Sequence, residues 1–410
     1  MPLRDAAPVA FAMVGLPARG KSYIARKLFR YLSWLGHKTK VFNVGSYRRE
    51  SLGAYQNAAF FDPDNPEGQR LLNDLAMRAL DDMIEWFDSG GQVGIYDATN
   101  TTRARRKLFV ERCRSKGVPV VFIESICDDP RVIDANVRET KLSSPDYLGA
   151  DPDDAVQDFR ERIANYGRVY EPVGDDEGSY IKIIDVGRQV VLNRISGYIP
   201  DRILPLLIRM HVTPRPILFT RHGESEFNAR GLLGGDPELS PRGVEYSRSL
   251  AKFIDERFGD TPITVWTSTL RRTIQTAAAL GRKSVAWRTL DEIDGGICDG
   301  MTYAEIKEKM PDVHAARSLD KFGYRYPRGE SYADVILRVE RVIIEMERQR
   351  TPVLVIGHQA VLRAVYAYFT DLPAQDCPYL SVPLHTVVEL TPTAYGVAEK
   401  RHPLEPLIED

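Results

Sequence analysis

Gly15-Leu-Pro-Ala-Arg-Gly20-Lys21-Ser22 constrains this chain more than any other stretch. It matches GxxxxGK[ST] without deviation. It directly follows the apolar run Val9 to Val14 and precedes a helical pattern with Ile24, Leu28, Tyr31, Leu32 and Leu35 on one face, ended by Gly36. Strand, glycine loop and helix in that order is the setting in which the motif works. Gly15 and Gly20 permit turns that a side chain would block, so successive N–H groups can face phosphate oxygens beside the positive end of the helix. Leu16, Pro17, Ala18 and Arg19 complete the loop and Tyr23 follows it, making the run from Gly15 to Tyr23 a candidate nucleotide site. Lys21 offers charge to the β- and γ-phosphates and Ser22 a hydroxyl to Mg²⁺.

The surrounding pattern predicts an α/β fold. Short apolar runs at Val9–Val14, Thr39–Val44, Gln92–Tyr96, Val118–Ile123 and Tyr180–Asp185 alternate with helical segments, which points to a largely parallel sheet covered on both faces. The segment from Val156 through Phe159 to Ile163 reads as core packing. Two prolines in His211-Val-Thr-Pro-Arg-Pro216 favour extended chain, and new strand signals follow at Ile217–Thr220, Ile263–Trp266 and Val353–Ile356. The expected domains are therefore 1–213 and 214–410. At 410 residues each half can bury its own core, and a net charge of −2 leaves no global basic field for nucleic acid or an anionic membrane. Val9 to Val14 is too short for a signal-peptide core or a membrane span. Four dispersed cysteines, without a CxxC pair, fit a reducing compartment, so the cytoplasm is the expected location.

Chemistry gathers at strand ends. The run ending at Tyr96 delivers Asp97, followed by Ala-Thr-Asn-Thr-Thr-Arg103-Ala-Arg105-Arg106. Carboxyl ends of parallel strands are where open α/β sheets bind ligands. There Asp97 can hold Mg²⁺ or orient an acceptor hydroxyl, while the three arginines can grip an anion. Tyr47-Arg-Arg-Glu50 is a further candidate for an acceptor phosphate. In the second half, Leu218-Phe-Thr-Arg221-His222-Gly-Glu224 and Val353-Leu-Val-Ile-Gly-His358 place two of only seven histidines at equivalent strand ends. Two imidazoles so placed suit phosphoryl transfer through a phosphohistidine, with Arg221 and Arg272 stabilising charge. Asp291-Glu292-Ile-Asp294 is the candidate source of a general acid. No HxxxH or HxH spacing favours a metal centre there.

With both constellations in view, nearly the whole chain resembles the bifunctional 6-phosphofructo-2-kinase/fructose-2,6-bisphosphatase family. The resemblance rests on the loop, Val41-Phe-Asn-Val-Gly, Asp97-Ala-Thr-Asn-Thr-Thr-Arg, Phe122-Ile-Glu-Ser-Ile-Cys127, Ser143-Ser-Pro-Asp-Tyr147, Arg221-His-Gly-Glu and Pro383-Leu-His-Thr386, in that order. It implies a nucleotide-kinase-like domain followed by a phosphoglycerate-mutase-like histidine phosphatase. The implied reactions are ATP-dependent phosphorylation of fructose 6-phosphate at its 2-hydroxyl and hydrolysis of that same phosphate. Carried over by motif, Asp97 is the active-site aspartate, Cys127 the active-site cysteine and Lys141 a second cation at the transferring phosphoryl. Asn136 to Lys141 contacts the nucleotide, and Arg49, Thr99, Arg105, Arg162 and Tyr166 hold the sugar phosphate. In the second domain His222 carries the phosphoryl group, Glu292 donates the proton and His358 is the partner imidazole. Arg221, Asn228 and Arg272 surround the 2-phosphate. Gly234, Tyr303, Arg317, Lys321, Tyr332, Gln359 and Arg363 match positions around the rest of the bisphosphate. A homodimer through the kinase half is implied as well.

The chain departs from that pattern in places. Leu72 stands where the family has an Arg, with Arg70 two positions earlier, so the grip on fructose 6-phosphate is expected to be weaker or rearranged. Ser22 replaces a Thr but keeps the hydroxyl, and Gly357 replaces a Cys before His358. Fourteen residues ahead of the loop and an end at Asp410 leave little room for control by tail phosphorylation. Two other readings stay open: an enzyme of this build with one activity lost or a different acceptor sugar, and a nucleotide-sensing scaffold. The intact set Lys21, Asp97, His222, Glu292 and His358 speaks against the scaffold.

Overall fold

Six consecutive residues, Val9–Val14, are all buried. A strand tolerates that only at the centre of a sheet with helices over both faces. The computed structural model describes residues 7–54, 56–138, 145–147, 151–211, 215–393 and 396–408, and the chain divides into two compact units at residues 212 and 213. The first unit holds β1 (Val9–Val14), β2 (Thr39–Asn43), β3 (Val93–Asp97), β4 (Val120–Ile126), β5 (Ser179–Ile184) and β6 (Gln189–Asn193), in the order β2-β3-β1-β4-β5-β6. The first five run parallel. Only β6 is antiparallel, paired with β5 across a tight turn at Asp185, Val186 and Gly187, all with positive φ. This short edge strand is missing from the sequence-based expectation, because its apolar run is only Val190-Val191-Leu192 and none of its residues is buried.

Strand order reverses around β1, whose neighbours are β3 and β4. Such a switch point opens a crevice at the carboxyl ends of the strands. The glycine loop leaves β1 there, and β3 delivers Asp97 to the same edge. The helix Lys21–Trp34 starts at Gly20 (φ 80°), buries Ile24, Leu28, Tyr31 and Leu32, and gives way to Gly36 at φ 91°. Left-handed backbone of that kind favours glycine.

The second unit repeats the logic with different edges. Its strands are β7 (Ile217–Arg221), β8 (Thr264–Thr267), β9 (Ser284–Ala286), β10 (Val353–Gly357), β11 (Thr386–Pro392) and β12 (Val397–Pro403), in the order β12-β11-β7-β10-β8-β9. The central strands β7 and β10 are parallel and buried along their whole lengths, while β11 and β12 add an antiparallel edge. In the β7–β10 register Arg221 lies opposite Gly357. The next residue of each strand is a histidine, so pairing alone brings His222 and His358 side by side.

Candidate active sites

In the first unit the loop is held from beneath. Ser125 donates its hydroxyl to the Arg19 carbonyl (2.5 Å), Asn136 donates to Ala18 O (3.1 Å), and the Gly15 N–H reaches Thr99 O (3.0 Å). A Cβ at Gly15 would sit 2.5 Å from Ser125 O, and φ there is +134°, so only glycine fits. Lys21 curls back to donate to Leu16 O (2.6 Å), which places its ammonium over the loop where a phosphate chain would lie. Ser22 opens the helix behind it. Asp97 is buried and accepts from Asn43 Nδ2 at 2.5 Å. Tyr23 sends its hydroxyl to His211 O (3.1 Å), so its side chain is spent on packing. Lys141 lies outside the described residues. Cys127 is buried just past β4, and burial raises its thiol pKa, which keeps it protonated and a poor nucleophile.

The arginines sort themselves by partner. Arg106 is fully buried, forks onto Glu177 (2.6 and 2.8 Å) and donates to Glu171 O, while Arg103 pairs with Asp176. The expectation that both grip an anion is corrected, since their donors serve the fold. Arg105 stays half-buried at the crevice and donates to Leu72 O (3.1 Å). Leu72 itself is buried in the helix Pro66–Asp88, whereas Arg70 is exposed on another face. Arg49 and Arg162 converge with Arg48 on the carboxylate of Asp146, at 3.9, 3.7 and 2.6 Å. The Arg162 guanidinium lies 3.6 Å from the ring centre of Phe61, which also packs near Tyr166. Arg48 is 2% exposed, and its Nε and Nη1 have no partner among the described residues. Arg48 belongs to the Tyr47–Glu50 candidate for an acceptor phosphate, whereas Asp146 was given no role from sequence. Their meeting is a long-range event, across 98 residues.

The second unit is already wired. His222 Nδ1 lies 2.7 Å from the Gly223 carbonyl and must therefore carry the proton. Its Nε2 lone pair is left to face the Nε–H of Arg272 at 3.0 Å. His358 stands 5.0 Å away ring to ring, fully buried, with Nε2 against Ser268 Oγ (2.7 Å). Burial first, and Arg272 second, push both imidazoles well below the ordinary value of 6.5, so both are neutral at pH 7. A neutral imidazole with its Nε2 lone pair beside a guanidinium can attack phosphorus while the cation takes up phosphoryl charge.

A cavity of about 480 Å³ opens onto His222, Arg221 and Arg272. It is lined also by Glu292, Asn228 and Gly234, and further out by Tyr303, Arg317, Lys321, Tyr332, Gln359 and Arg363. His358 does not line it. Of the three acidic candidates only Glu292 lines the cavity. Asp291 is engaged by Thr269, and Asp294 caps the Gly296 N–H, whereas Glu292 hangs from the Ile293 and Ala360 N–H groups with its carboxylate at the cavity. The backbone around Glu292 is clamped by Arg338, which donates to Thr289 O, Asp291 O and Glu292 O and is held by Glu330. Asn228 spends its Oδ1 on Ser225, leaving the amide NH₂ as its donor. Gly234 is at φ +62°, and a Cβ there would meet Asp299 Oδ1 at 1.9 Å. Arg317 donates to Tyr303 Oη and Arg363 to Tyr332 Oη, so cations and phenols form one rim. Arg338 and His385 were not singled out as site residues, and Arg338 sits in an ordinary amphipathic helix that gives no local signal.

Comparison with known proteins meets this geometry. Residues 1–214 match the family model of 6-phosphofructo-2-kinase, and residues 217–403 match that of the histidine phosphatase superfamily, branch 1. A 6-phosphofructo-2-kinase/fructose-2,6-bisphosphatase from Arabidopsis thaliana is 52% identical over 97% of this chain and 54% of its own length. One from Gallus gallus is 50% identical over 95% of this chain and 83% of its own. This chain belongs to the 6-phosphofructo-2-kinase/fructose-2,6-bisphosphatase family. It thus spans about half the length of the plant relative and most of the avian one. Like them, it joins a kinase domain to a histidine-phosphatase domain in one α/β enzyme with two mixed six-stranded sheets. Among solved structures, the alpha-ribazole phosphatase from Shigella flexneri is 21% identical, covering 48% of this chain and 99% of its own, with a TM-score of 0.42.

Proposed function

We propose that residues 1–213 transfer the γ-phosphoryl group of ATP to the 2-hydroxyl of fructose 6-phosphate, and that residues 214–410 hydrolyse the resulting 2-phosphate. The observation that carries the reading is the second cavity. There a neutral His222 faces Arg272, and Arg317, Lys321 and Arg363 line the same cavity. A sugar bisphosphate with about four negative charges fits a cavity lined by that many cations. Attack by Nε2 forms the phosphohistidine, and Glu292 protonates the departing sugar oxygen. A water molecule then releases inorganic phosphate.

In the kinase half the loop from Gly15 to Ser22 seats the phosphates of ATP, with Asn136 supporting the loop and Lys21 moving from Leu16 O to the β/γ oxygens. Thr99, Arg49, Arg105, Arg162 and Tyr166 receive the sugar phosphate, and Asp97 faces the acceptor hydroxyl. Ser22 and Asp97 carry hard oxygen donors of the type Mg²⁺ takes, so these two side chains would hold that ion beside the nucleotide phosphates. When bound with ATP it neutralises charge on the phosphates. Leu72, buried where an arginine would face the acceptor, favours one variant reading in which the preferred acceptor differs. Comparison of acceptor sugars decides it.

Four buried free thiols fit the cytoplasm. Among the described residues no helix is long and apolar enough to cross a membrane. The homodimer rests on family resemblance, and light scattering of the intact chain reads it directly. The deciding experiment follows label from γ-labelled ATP with Mg²⁺ and fructose 6-phosphate, in wild type and His222→Ala. Wild type is expected to release phosphate and to label itself, while the variant accumulates acid-labile bisphosphate. Failure of both to label any sugar, with ATP still bound, refutes the kinase assignment.

A further inference from the structure

His385 lies outside the cavity, 1% exposed, yet it is bonded at both ring nitrogens. Its Nε2 accepts the Glu224 N–H at 2.9 Å, so its proton sits on Nδ1 and is donated to the Pro406 carbonyl at 2.6 Å. Its ring is stacked on Tyr246 at 4.3 Å and 4°, and Tyr246 in turn meets Thr220 Oγ1 on β7. Burial lowers its pKa, although the Pro406 bond and Glu224 oppose that, so the neutral ring is the state that persists.

The Glu224 N–H and the Gly223 carbonyl belong to one peptide unit. A trans peptide is planar, and its N–H and C=O point to opposite sides. The side facing away from His385 is the carbonyl that holds His222 Nδ1 at 2.7 Å. We propose that His385 is a positioning residue for the phosphohistidine chemistry: by holding the Glu224 N–H it locks the Gly223–Glu224 peptide, and so keeps His222 in the tautomer with its proton on Nδ1 and its Nε2 lone pair beside Arg272 at the cavity. The rest of the turn has no redundant lock on this plane. The Gly223 N–H bonds Thr276 Oγ1 through the preceding peptide, and Glu224 O bonds the Ser240 N–H through the following one. Close packing against Gly243, where a Cβ at Gly223 would come within 2.4 Å of a carbonyl, fixes the position of the turn but not the direction of the peptide. The proposal rests on the phosphohistidine reading of His222.

Two conservative replacements separate the ring's two bonds. In His385→Gln the amide oxygen can take the place of Nε2 and still accept from Glu224. In His385→Asn the shorter side chain can reach Pro406 O but not the Glu224 N–H. Backbone preference sorts them the other way, because His385 has φ +52°, which Asn adopts more readily than Gln. Each variant is assayed for fructose 2,6-bisphosphate hydrolysis and for the ¹⁵N signature of the His222 ring in histidine-labelled protein, beside its melting temperature. The expected result is that His385→Asn lowers kcat at least about tenfold with KM nearly unchanged, and shows a second His222 tautomer; a wrong tautomer is costly in histidine catalysis. His385→Gln should keep kcat within a few fold of wild type and a single tautomer. The proposal is overturned if His385→Asn retains wild-type kcat and one tautomer. It is equally overturned if the two variants fall together in step with their melting temperatures, as a purely structural role requires. If wild type does not hydrolyse the bisphosphate, the substrate assignment fails, while the tautomer comparison still decides the role of His385.

Discussion

The two sites of this chain are built at matching places, the carboxyl ends of central parallel strands, but they stand in different states of readiness. In the phosphatase half His222, the proposed nucleophile, is already bonded to the Gly223 carbonyl and to Arg272 beside a formed cavity. In the kinase half the candidate groups are held by internal partners. Lys21 is bonded to its own loop, Asp97 to Asn43, and Arg48, Arg49 and Arg162 share Asp146. The difference follows from the chemistry. A covalent route needs a lone pair aimed before substrate arrives, whereas direct transfer between two bound substrates lets ATP and sugar phosphate displace internal partners as they bind.

Substitution of the two central cations tests that contrast most strongly. Lys21→Ala should lower kinase kcat by about 10²–10³-fold, the scale of losing a charge at a transferring phosphoryl, and leave bisphosphate hydrolysis unchanged. Arg272→Lys keeps the charge but removes the Nε–H aimed at His222. It should cost the phosphatase about 10²-fold, since an ammonium cannot reproduce the planar fork, with the kinase rate intact. Steady-state assays of each half-reaction check both. An equal loss of both activities in either variant would break the comparison.

Acidification should divide the halves less sharply. His222 and His358 are held neutral in the folded state, whereas an unfolded chain protonates them near 6.5. Below that pH the unfolded state binds more protons, so stability begins to fall at about 6.5 and keeps falling until the folded rings are protonated in turn. Calorimetry at pH 7.5 and 5.5 should show the phosphatase transition moving down, with the acidic limb of hydrolysis lying below 6.5. The smallest effect is expected at Cys127. Its buried thiol stays protonated, so Cys127→Ser should change kinase kcat less than about threefold. A larger loss would mean that the thiol does more than pack.

Much of this organisation is visible in one dimension because its signals are local. A glycine loop between strand and helix, and a histidine just past each of two apolar runs, depend on neighbours a few residues away. The acidic trio Asp291, Glu292 and Asp294 shows the limit. Any of the three could serve as a proton donor on paper, and only the fold puts Asp291 on Thr269, Asp294 on the Gly296 N–H and Glu292 at the cavity. The polar run after Asp97 shows the same thing, since Glu177 and Asp176 remove Arg106 and Arg103 from it.

The sequence by itself determined that two α/β units would each offer phosphate chemistry at strand ends, because strand periodicity, glycine turns and residue type are local properties. Only the tertiary structure decided which charged groups remain for substrate and which are consumed, as with Arg48 on Asp146 across 98 residues and His385 on Glu224 across 161. Burying an ion or a polar hydrogen costs too much without a partner, and the fold supplies those partners from distant segments that no local pattern reveals.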